Sequence, residues 1–398
     1  MHLRKFIPFT FFVLILVFLH SEQLWSDEFK ITPSLHLKNE YNDNIFFDDE
    51  DDENIDDYIV TLSPGLKVSD RIDRLSTYIS SRFDFIKYDE NFDLDDTEQF
   101  YDGNFRYRIT PRMNILTRAR YTQDSRIDRD IEESGLIVGT STRYRQNYDA
   151  SWDYMLTEKA LTTASYTYTQ DDFDNNDDHE FIDSRSQNGT IGFSYSLESF
   201  LPNTFARINV GYELFSFDDS IIDEVRSSSL MIGATKNLNE KLAIILDIGK
   251  RYTVSEYLYT DETSTTRGML GNITLKYNGE FTTVRLTAYQ DLGTASGESG
   301  AIERRSLKLS IERRLSEELH LGLTSEYFSN KTDRDSYASD DIDEETLRIN
   351  PWVRYNFTRD IDLEGSYVFT KLQDHEDEEK AYRNIFFIRL RIQLPIIL

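Results

Sequence analysis

The sequence predicts an all-β protein, a transmembrane antiparallel up-and-down β-barrel of about sixteen to eighteen strands. Two observations lead to this fold class. From residue 29 onward the chain is rich in Tyr, Thr, Val, Ile and Phe, and its polar and apolar residues alternate with a period of two. Turn-forming segments interrupt this pattern about every twenty residues, and short interruptions alternate with long ones. Together, the period-two pattern and the alternating short and long interruptions predict a barrel built from β-hairpins.

Composition narrows the possible classes of protein. The chain has 398 residues, 13% aromatic side chains and a formal net charge of −28, which disfavours both a disordered chain and a nucleic-acid-binding protein. It contains no cysteine, so disulfides, a lipoprotein anchor and thiolate metal sites are excluded. We therefore expect a large folded protein with no cofactor.

The N-terminus is typical of a secretory signal peptide. "MHLRK" supplies a basic flank and "FIPFTFFVLILVFL" an apolar run that is shorter than the roughly 20 residues of a membrane helix. We expect residues 1–26 to be the signal peptide and 27–398 the barrel, with cleavage after Ser26 or Ser21, and an uncleaved anchor as the alternative. No later apolar run approaches about 18 residues, so any further membrane crossing requires strands.

The first strands, residues 32–46 "TPSLHLKNEYNDNIF" and 56–69 "DDYIVTLSPGLKVS", resemble the start of the type-two family of bacterial outer-membrane β-barrel porins. The matching residues are Pro33, Tyr41, Asn42, Asp43, Asn44, Ile45, Ser63, Pro64 and Gly65. The resemblance covers about a tenth of the chain. It implies an outer-membrane barrel associated with exopolysaccharide export, and it implies no catalytic residues.

Further along the chain, the interruptions fall into two strictly alternating series. The short series, in which five members read as apolar, small polar turn, apolar, comprises 68–73, 109–113, 156–160, 199–203, 238–242, 277–281, 315–319 and 357–361. The long, mostly acidic series comprises 43–57, 89–98, 123–137, 171–183, 218–224, 256–264, 291–301, 330–345 and 373–380. Together they separate eighteen strands and place both chain ends on the short-turn side. Short periplasmic turns and long outer loops are typical of a bacterial outer-membrane barrel.

The strands also carry the two faces that a membrane barrel requires. In 347–357, Leu347, Val353 and Tyr355 share one face, and Arg348 and Arg354 share the other. Tyrosines recur beside the long loops and predict an aromatic girdle, with high β-propensity as the alternative explanation. They are Tyr41, Tyr88, Tyr121, Tyr168, Tyr257 and Tyr327. A propeller has a similar repeat of about forty residues but needs four strands per blade.

Alternation assigns a set of basic residues to the lumen. The set is Arg82, Arg106, Arg108, Arg118, Arg120, Arg143, Arg145, Arg207, Lys308, Arg348, Arg354, Arg389 and Arg391. Guanidinium groups match carboxylate and phosphate, so this wall predicts an anion path. Equally weighted is an alternative in which these cations pair with luminal carboxylates and select nothing. The predicted carboxylates are Asp84, Asp149, Asp153, Glu213 and Glu312.

The remaining candidates for chemistry are weak. Asp48, Asp49, Asp51 and Asp52 could bind hard cations loosely at the surface, but their segment lacks the spacing and the central Gly of an EF-hand, so no metal site is predicted. The four histidines beyond the signal segment are His36, His179, His320 and His375, and they lie far apart in sequence. No nucleophile, zinc pair or phosphate loop accompanies them, so no catalytic residue and no enzyme activity are predicted.

The sequence therefore predicts an outer-membrane pore that passes hydrophilic, anionic solutes or exopolysaccharide. Expected partners are outer-membrane lipid, lipopolysaccharide, the barrel-assembly machinery and exopolysaccharide, with no nucleic acid. The alternatives are a structural or adhesive surface barrel with acidic, cation-binding loops, and a soluble periplasmic β-protein.

Overall fold

A computed structural model describes residues 28–48, 54–125, 131, 134–136, 141–174, 181–218, 222–258, 263–294, 297–332, 342–376 and 378–397. Its strands are β1 (Glu28–Asn42), β2 (Asp57–Ile72), β3 (Leu75–Tyr88), β4 (Asp96–Thr110), β5 (Met113–Asp124), β6 (Arg143–Thr157), β7 (Ala160–Phe173), β8 (Ser184–Ser196), β9 (Thr204–Phe217), β10 (Ile222–Asn237), β11 (Leu242–Tyr257), β12 (Thr263–Asn278), β13 (Thr282–Gly293), β14 (Ile302–Arg314), β15 (Leu319–Thr332), β16 (Asp343–Asn356), β17 (Ile361–Asp374), β18 (Lys380–Gln393) and β19 (Ile396–Ile397). A single 3-10 turn, Phe92–Leu94, is described between β3 and β4. The predicted signal peptide lies outside the described residues.

The strands form one closed antiparallel barrel. Each strand from β1 to β18 pairs with its neighbours in sequence, and β18 returns to pair with β1, where Ser34 lies opposite Gln393 and Asn42 opposite Ile385. The two-residue β19 extends the closing strand along the start of β1, opposite Lys30. The predicted fold class is confirmed, with eighteen long strands among the described residues.

The predicted turns and loops fall where the sequence placed them. Six of the eight short connections lie within the predicted short series, and those at 73–74 and 197–203 overlap it; the nine longer connections overlap the predicted long loops, with the one between β5 and β6 reaching residue 142 rather than 137. The start of β1 pairs with the end of β2 at Glu28 and Arg71, so both chain ends lie at the short-turn end of the barrel. The nine longer connections define the opposite end, which we call the mouth. Among the described residues, no helix is long and apolar enough to cross a membrane.

The barrel is apolar outside and polar inside. Ladder partners share a face, so the register carries each face around the sheet: Leu37 lies opposite Leu62 outside, and Lys38 lies opposite Thr61 inside. The exposed outer side chains include Leu62, Ile191, Val210, Ile232, Leu246, Ile273, Leu307, Val353 and Ile388. An apolar surface this extensive around a closed barrel is stable only against lipid. The chain is an outer-membrane β-barrel.

The buried apolar core sits at the mouth rather than along the barrel axis. One cluster comprises Phe215, Phe217, Ile222, Val225, Leu292 and Ala301. Three smaller clusters comprise Phe47, Ile131 and Ala381, then Ile45, Ile59 and Ile86, and finally Leu136 and Ile302. Inward-facing positions near the mouth thus include these apolar residues beside buried polar ones such as Arg143 and Thr346, and those further down are mostly charged or hydroxyl-bearing. Loop side chains meet the ends of the strands in all four clusters.

Candidate pore

The register places all thirteen of the predicted basic residues on the inner face of the barrel. Arg82 is opposite Gly65, Arg118 is opposite Asp149, and Arg391 is opposite His36, each within one continuous inner surface. The period-two pattern assigned these residues because each strand alternates without a bulge through its middle. The two register shifts nearest to them lie beside short turns, beyond Arg108 and Met155.

Most of these cations are paired with carboxylates across or along the strands. Arg145 Nε lies 2.5 Å from Asp171 Oδ1, Arg207 Nη2 lies 2.5 Å from Asp247 Oδ2, and both contacts are bidentate. Other pairs are Arg82 with Asp84, Arg143 with Asp124, Lys308 and Arg348 with Glu326, and Arg108 with Asp73 at the short-turn end. Arg106 makes no ion pair in the described part of the chain. The alternative of a paired, rigid wall thus has a clear geometric basis.

The carboxylates in these pairs are mostly not the ones predicted from sequence. Asp84 does pair with Arg82, at 3.0 Å. Asp149 instead accepts a hydrogen bond from the hydroxyl of Thr167, Glu213 accepts one from the amide of Asn188, and Glu312 lies 3.3 Å from His320 Nδ1. Asp153 was predicted to form an ion pair, but it forms none with the described residues. The prediction of these four partners was wrong because pairing depends on which inward residues the register brings together.

Positive charge is in local excess along one part of the wall. Glu364 on β17 is shared by Arg354, Arg389 and Arg391; Arg354 Nη2 lies 2.7 Å and Arg391 Nη2 3.3 Å from Glu364 Oε2. Asp362 adds a second carboxylate, 2.7 Å from Arg391. Three guanidinium groups therefore face two carboxylates.

An excess of guanidinium groups over carboxylates recurs on β4 and β5. Asp102 on β4 accepts from Arg118 Nε at 2.8 Å, lies 3.6 Å from Arg120 Nε and also accepts the Tyr78 hydroxyl at 2.5 Å. Lys67 lies 4.2 Å from the centre of the Tyr78 ring and makes no ion pair in the described part of the chain. We call the inner face from β16 through β18 and β1 to β5 the basic sector.

A recess of about 360 Å³ lies in the basic sector. Lys67, Arg82, Arg118, Arg120, His36 and Phe100 line it. The Arg82 guanidinium stacks 4.1 Å from the centre of the Phe100 ring, which holds its plane against the wall. His36 Nε2 is buried and has no hydrogen-bond partner among the described residues. The recess therefore combines excess cations, an aromatic ring and an unused imidazole nitrogen.

The mouth is crossed by the connection between β5 and β6. Ile131 packs with Phe47 and with Ala381 on β18, and Ser134–Leu136 reach the opposite wall, which in a ring of eighteen strands lies at β14 to β15. Asn330 Nδ2 on β15 donates to the Ser134 carbonyl at 2.9 Å, and the Thr346 hydroxyl on β16 donates to the Gly135 carbonyl. This segment therefore spans the full diameter of the mouth. Sequence reasoning placed this segment in the predicted long loop 123–137 and did not predict that it crosses the mouth.

Two further connections meet over another part of the mouth. The backbone N–H of Ile182, before β8, donates to the Gly297 carbonyl between β13 and β14 at 2.8 Å. Phe181 stacks on Phe173 with ring centres 5.4 Å apart, and Ile182 packs against the large apolar cluster. Asp183 accepts the Phe173 N–H at 2.8 Å, and burial raises the pKa of its carboxyl. The mouth is thus narrowed by contacts between loops as well as by the crossing segment.

The tyrosines assigned to an outer girdle divide between the two faces. Tyr41, Tyr121, Tyr168 and Tyr327 face outward, with Tyr41 and Tyr58 in ring contact at 5.0 Å. Tyr88 packs on the Ile45 cluster and Tyr257 on the Phe215 cluster, so their predicted girdle position was wrong. Both lie at the last residue of their strands, where the loops fold inward over the strand ends.

The residues considered for metal binding or catalysis remain dispersed. Asp48 is described, whereas Asp49, Asp51, Asp52 and His179 lie outside the described residues. Within the described ranges, no group of three or more His, Asp or Glu side chains is arranged to hold a metal ion. His36 lies on β1, His320 on β15, and His375 follows β17, 3.8 Å from Glu345.

Comparisons with known proteins found similar structures but no similar sequences. No family model matches the chain, and no curated protein matches it. Among solved structures, it is similar to the outer membrane protein opdK of Pseudomonas aeruginosa, with a TM-score of 0.47 and 10% identity over 92% of this chain and 99% of that one. It is also similar to OccAB4 of Acinetobacter baumannii, with a TM-score of 0.47 and 9% identity over 93% and 99% of the two chains. For OpdQ of Pseudomonas aeruginosa the TM-score is 0.46, with 10% identity over 93% and 98%.

Proposed function

We propose that the protein is an outer-membrane channel that passes hydrophilic, anionic solutes and has no catalytic role. The main support for this proposal is the basic sector, where three guanidinium groups share Glu364 and two share Asp102. A paired cation is neutralised, whereas guanidinium groups that outnumber their carboxylates retain a positive field. Rings or patches of one charge sign set the ion preference of a wide pore.

A channel of this kind matches the dimensions of the barrel. Barrels of about sixteen to eighteen strands enclose an aqueous channel, whereas eight-stranded barrels fill with side chains. The inner wall below the mouth is lined by charged, amide and hydroxyl groups. Acidic solutes such as carboxylates, phosphates or uronate-bearing exopolysaccharide are the candidates that a guanidinium-lined wall would favour.

Conductance in planar bilayers tests the proposal. We expect discrete single-channel steps and, under a salt gradient, a reversal potential that indicates anion preference. The double substitution Arg118→Gln with Arg120→Gln should lower the anion-to-cation permeability ratio. The matched control is Arg74→Gln with Arg112→Gln, which removes two exposed arginines from short turns and should leave the ratio unchanged. A channel with clear cation preference would contradict the anion path.

The narrowed mouth supports a second candidate function, a structural or adhesive surface barrel. Four apolar clusters and the crossing segment lie at the end that carries the acidic loops. The partner would then be lipopolysaccharide, bridged to those loops by divalent cations. For either candidate function, the barrel-assembly machinery would assist folding. Absence of single-channel steps from correctly folded protein, judged by heat-dependent mobility in detergent gels, would favour this function over the channel.

A further inference from the structure

The barrel wall has a seam between β12 and β13 on the mouth side. Pairing between these strands runs from Asn278 and Thr283 up to Gly271 and Gln290 and stops there. Residues 263–270 of β12 continue upward paired with β11 alone, and the upper end of β13 continues paired with β14 alone. In six of the other seven hairpins that share a short turn, pairing reaches the last residues next to the mouth, and in β4–β5 it stops at Gln99 and Gln123, one residue before β5 ends.

The seam forms because the upper end of the β13–β14 hairpin leans into the lumen. By alternation Leu292 and Glu303 belong to the outer face, since their neighbours Asp291 and Arg304 are an inward-facing pair. Leu292 nevertheless lies in the apolar cluster with Phe215, an inner-face residue of β9. The outer face of this hairpin thus covers the inner face of the neighbouring wall.

An ion-pair cluster holds the hairpin in this position. Arg251 on the inner face of β11 lies 3.5 Å from Glu303 Oε2, and Arg305 on the outer face of β14 lies 2.8 Å from Glu303 Oε1. Gln290 Nε2 also donates to Glu303 Oε1 at 2.9 Å. A single carboxylate is therefore contacted from the luminal side and from the outer side of the wall, which places it in the seam.

A second luminal recess, of about 500 Å³, lies directly at the seam. Residues 270–272 of β12 and 289–292 of β13 line it, so both strands contribute the positions where they separate. Its wall is amphipathic: Met231, Leu270 and Leu292 supply apolar surface, and Asn188, Asn209 and Glu213 supply polar groups. The volume falls within the range of about 300–1,000 Å³ that holds small molecules.

The depth of the seam places it at the boundary between hydrocarbon and headgroups. Met269 and Ile273 face outward from β12 with about half of their surface exposed, so this part of the strand lies in the apolar band. Higher up, Arg267 faces outward beside its ladder partner Tyr252, a pair suited to the headgroup layer. An unpaired strand edge is tolerated at membrane depth only where it borders protein or a polar cavity.

We propose that the seam is a lateral passage through which amphiphiles with an acidic headgroup move between the outer leaflet and the luminal recess. Arg267 and Arg305, outward-facing on either side of the seam, would hold the headgroup, and the Leu270 and Leu292 surface would take the apolar chain. This activity does not depend on anion conduction along the barrel axis.

Site-specific labelling tests the opening, because the chain has no native cysteine. Leu270→Cys is an inner-face position at the seam, and Asn272→Cys is the next inner-face position, below which the ladder is intact. A maleimide attached to a phospholipid acyl chain should react with Leu270→Cys many-fold faster than with Asn272→Cys. Ile273→Cys, on the outer face, is the positive control for lipid access. Equal, slow reaction of the two inner-face cysteines would overturn the proposal.

Ligand binding provides an independent readout in the same variants. A fluorescent long-chain fatty acid should bind folded protein in detergent, and a bulky maleimide on Leu270→Cys should abolish that binding. The same label on Ile273→Cys should leave it intact. Binding that survives the block at Leu270 would exclude the seam recess as the site; Leu292→Cys repeats the test should Leu270→Cys fail to show heat-dependent gel mobility. Bilayer conductance of the unlabelled protein reports separately on the axial channel.

Discussion

The mouth and the middle of the barrel are stabilised in opposite ways. At the mouth, loop residues such as Ile131 and Leu136 are about 1% exposed and pack into apolar clusters with the strand ends. Along the middle of the lumen, the inner side chains are held by ion pairs and hydrogen bonds across strands. A barrel that conducts must keep its lumen open to water, so apolar side chains cannot fill its interior. The apolar packing is therefore confined to one end. In the proposed channel, that end would control the access of solutes, and the wall below it would control the ion preference.

The largest expected effect comes from removing the segment that crosses the mouth. Replacement of residues 126–140 by a short Gly and Ser linker should raise single-channel conductance several-fold, because Ser134–Leu136 reach across the mouth to the opposite wall. Single-channel recording in planar bilayers measures this.

A linker replacing residues 89–95 is the control for loop shortening as such. This connection carries the 3-10 turn beside β3, donates to Asp57 at the start of the adjacent β2 and packs on the Ile45 cluster, so its contacts lie on its own side of the barrel. If both replacements raise conductance equally, the crossing segment does not limit access.

The next effect concerns a buried ion pair just below the mouth. Arg143 is fully buried and donates through Nε and Nη2 to both oxygens of Asp124, at 3.1 and 3.0 Å. Arg143→Met should cost about 3–5 kcal/mol, because removing one partner leaves a buried carboxylate without its main counter-charge. Urea unfolding, followed by heat-dependent gel mobility, measures the loss.

An exposed pair provides the matched control for that measurement. Arg185 and Asp218 lie 2.9 Å apart with about half of each side chain exposed. Arg185→Met should change stability by less than about 1 kcal/mol, since solvent screens such pairs. A similar loss in both variants would mean that burial does not distinguish the two pairs.

The sequence predicted the barrel wall much better than the mouth. Alternation in segments such as 347–357 assigns faces correctly because each strand keeps one register from turn to loop. The carboxylate partners could not be predicted, since Asp102 and Glu364 meet their arginines across strands whose relative stagger is not encoded locally. The crossing of Ser134–Leu136 to Asn330 joins residues nearly two hundred positions apart. Tyr88 and Tyr257 were misassigned for a different reason: their nearness to a long loop was used, whereas strict alternation from Arg82 and from Arg251 puts both on the inner face.

A smaller effect is expected from one glycine in the crossing segment. Gly135 has φ of +78°, and a Cβ there would lie 2.6 Å from Phe328 Cβ. Gly135→Ala should weaken docking of the segment by about 1–2 kcal/mol from the left-handed backbone alone, with more from the clash. More frequent or longer channel openings would report the weakened docking. Gly189→Ala, where nothing lies within 4 Å, should leave gating unchanged.

The smallest effect concerns a solvent-exposed pair in the connection between β3 and β4. Lys87 Nζ donates to Asp95 Oδ2 at 2.5 Å and the Tyr88 N–H to Asp95 Oδ1 at 3.0 Å, and these contacts lower the pKa of the Asp95 carboxyl. A depressed folded-state pKa means that the contact stabilises the loop above the ordinary Asp pKa of about 3.9 and is lost as pH falls through the lower folded value. Carbon-13 NMR titration of Asp95 should give a midpoint below that of a free Asp, and Lys87→Gln should move it upward. An unchanged midpoint in Lys87→Gln would assign the shift to the backbone contact instead. Because the pair is solvent-exposed, its loss should leave the mouth clusters and the conductance unchanged, in contrast to the buried contacts of the crossing segment.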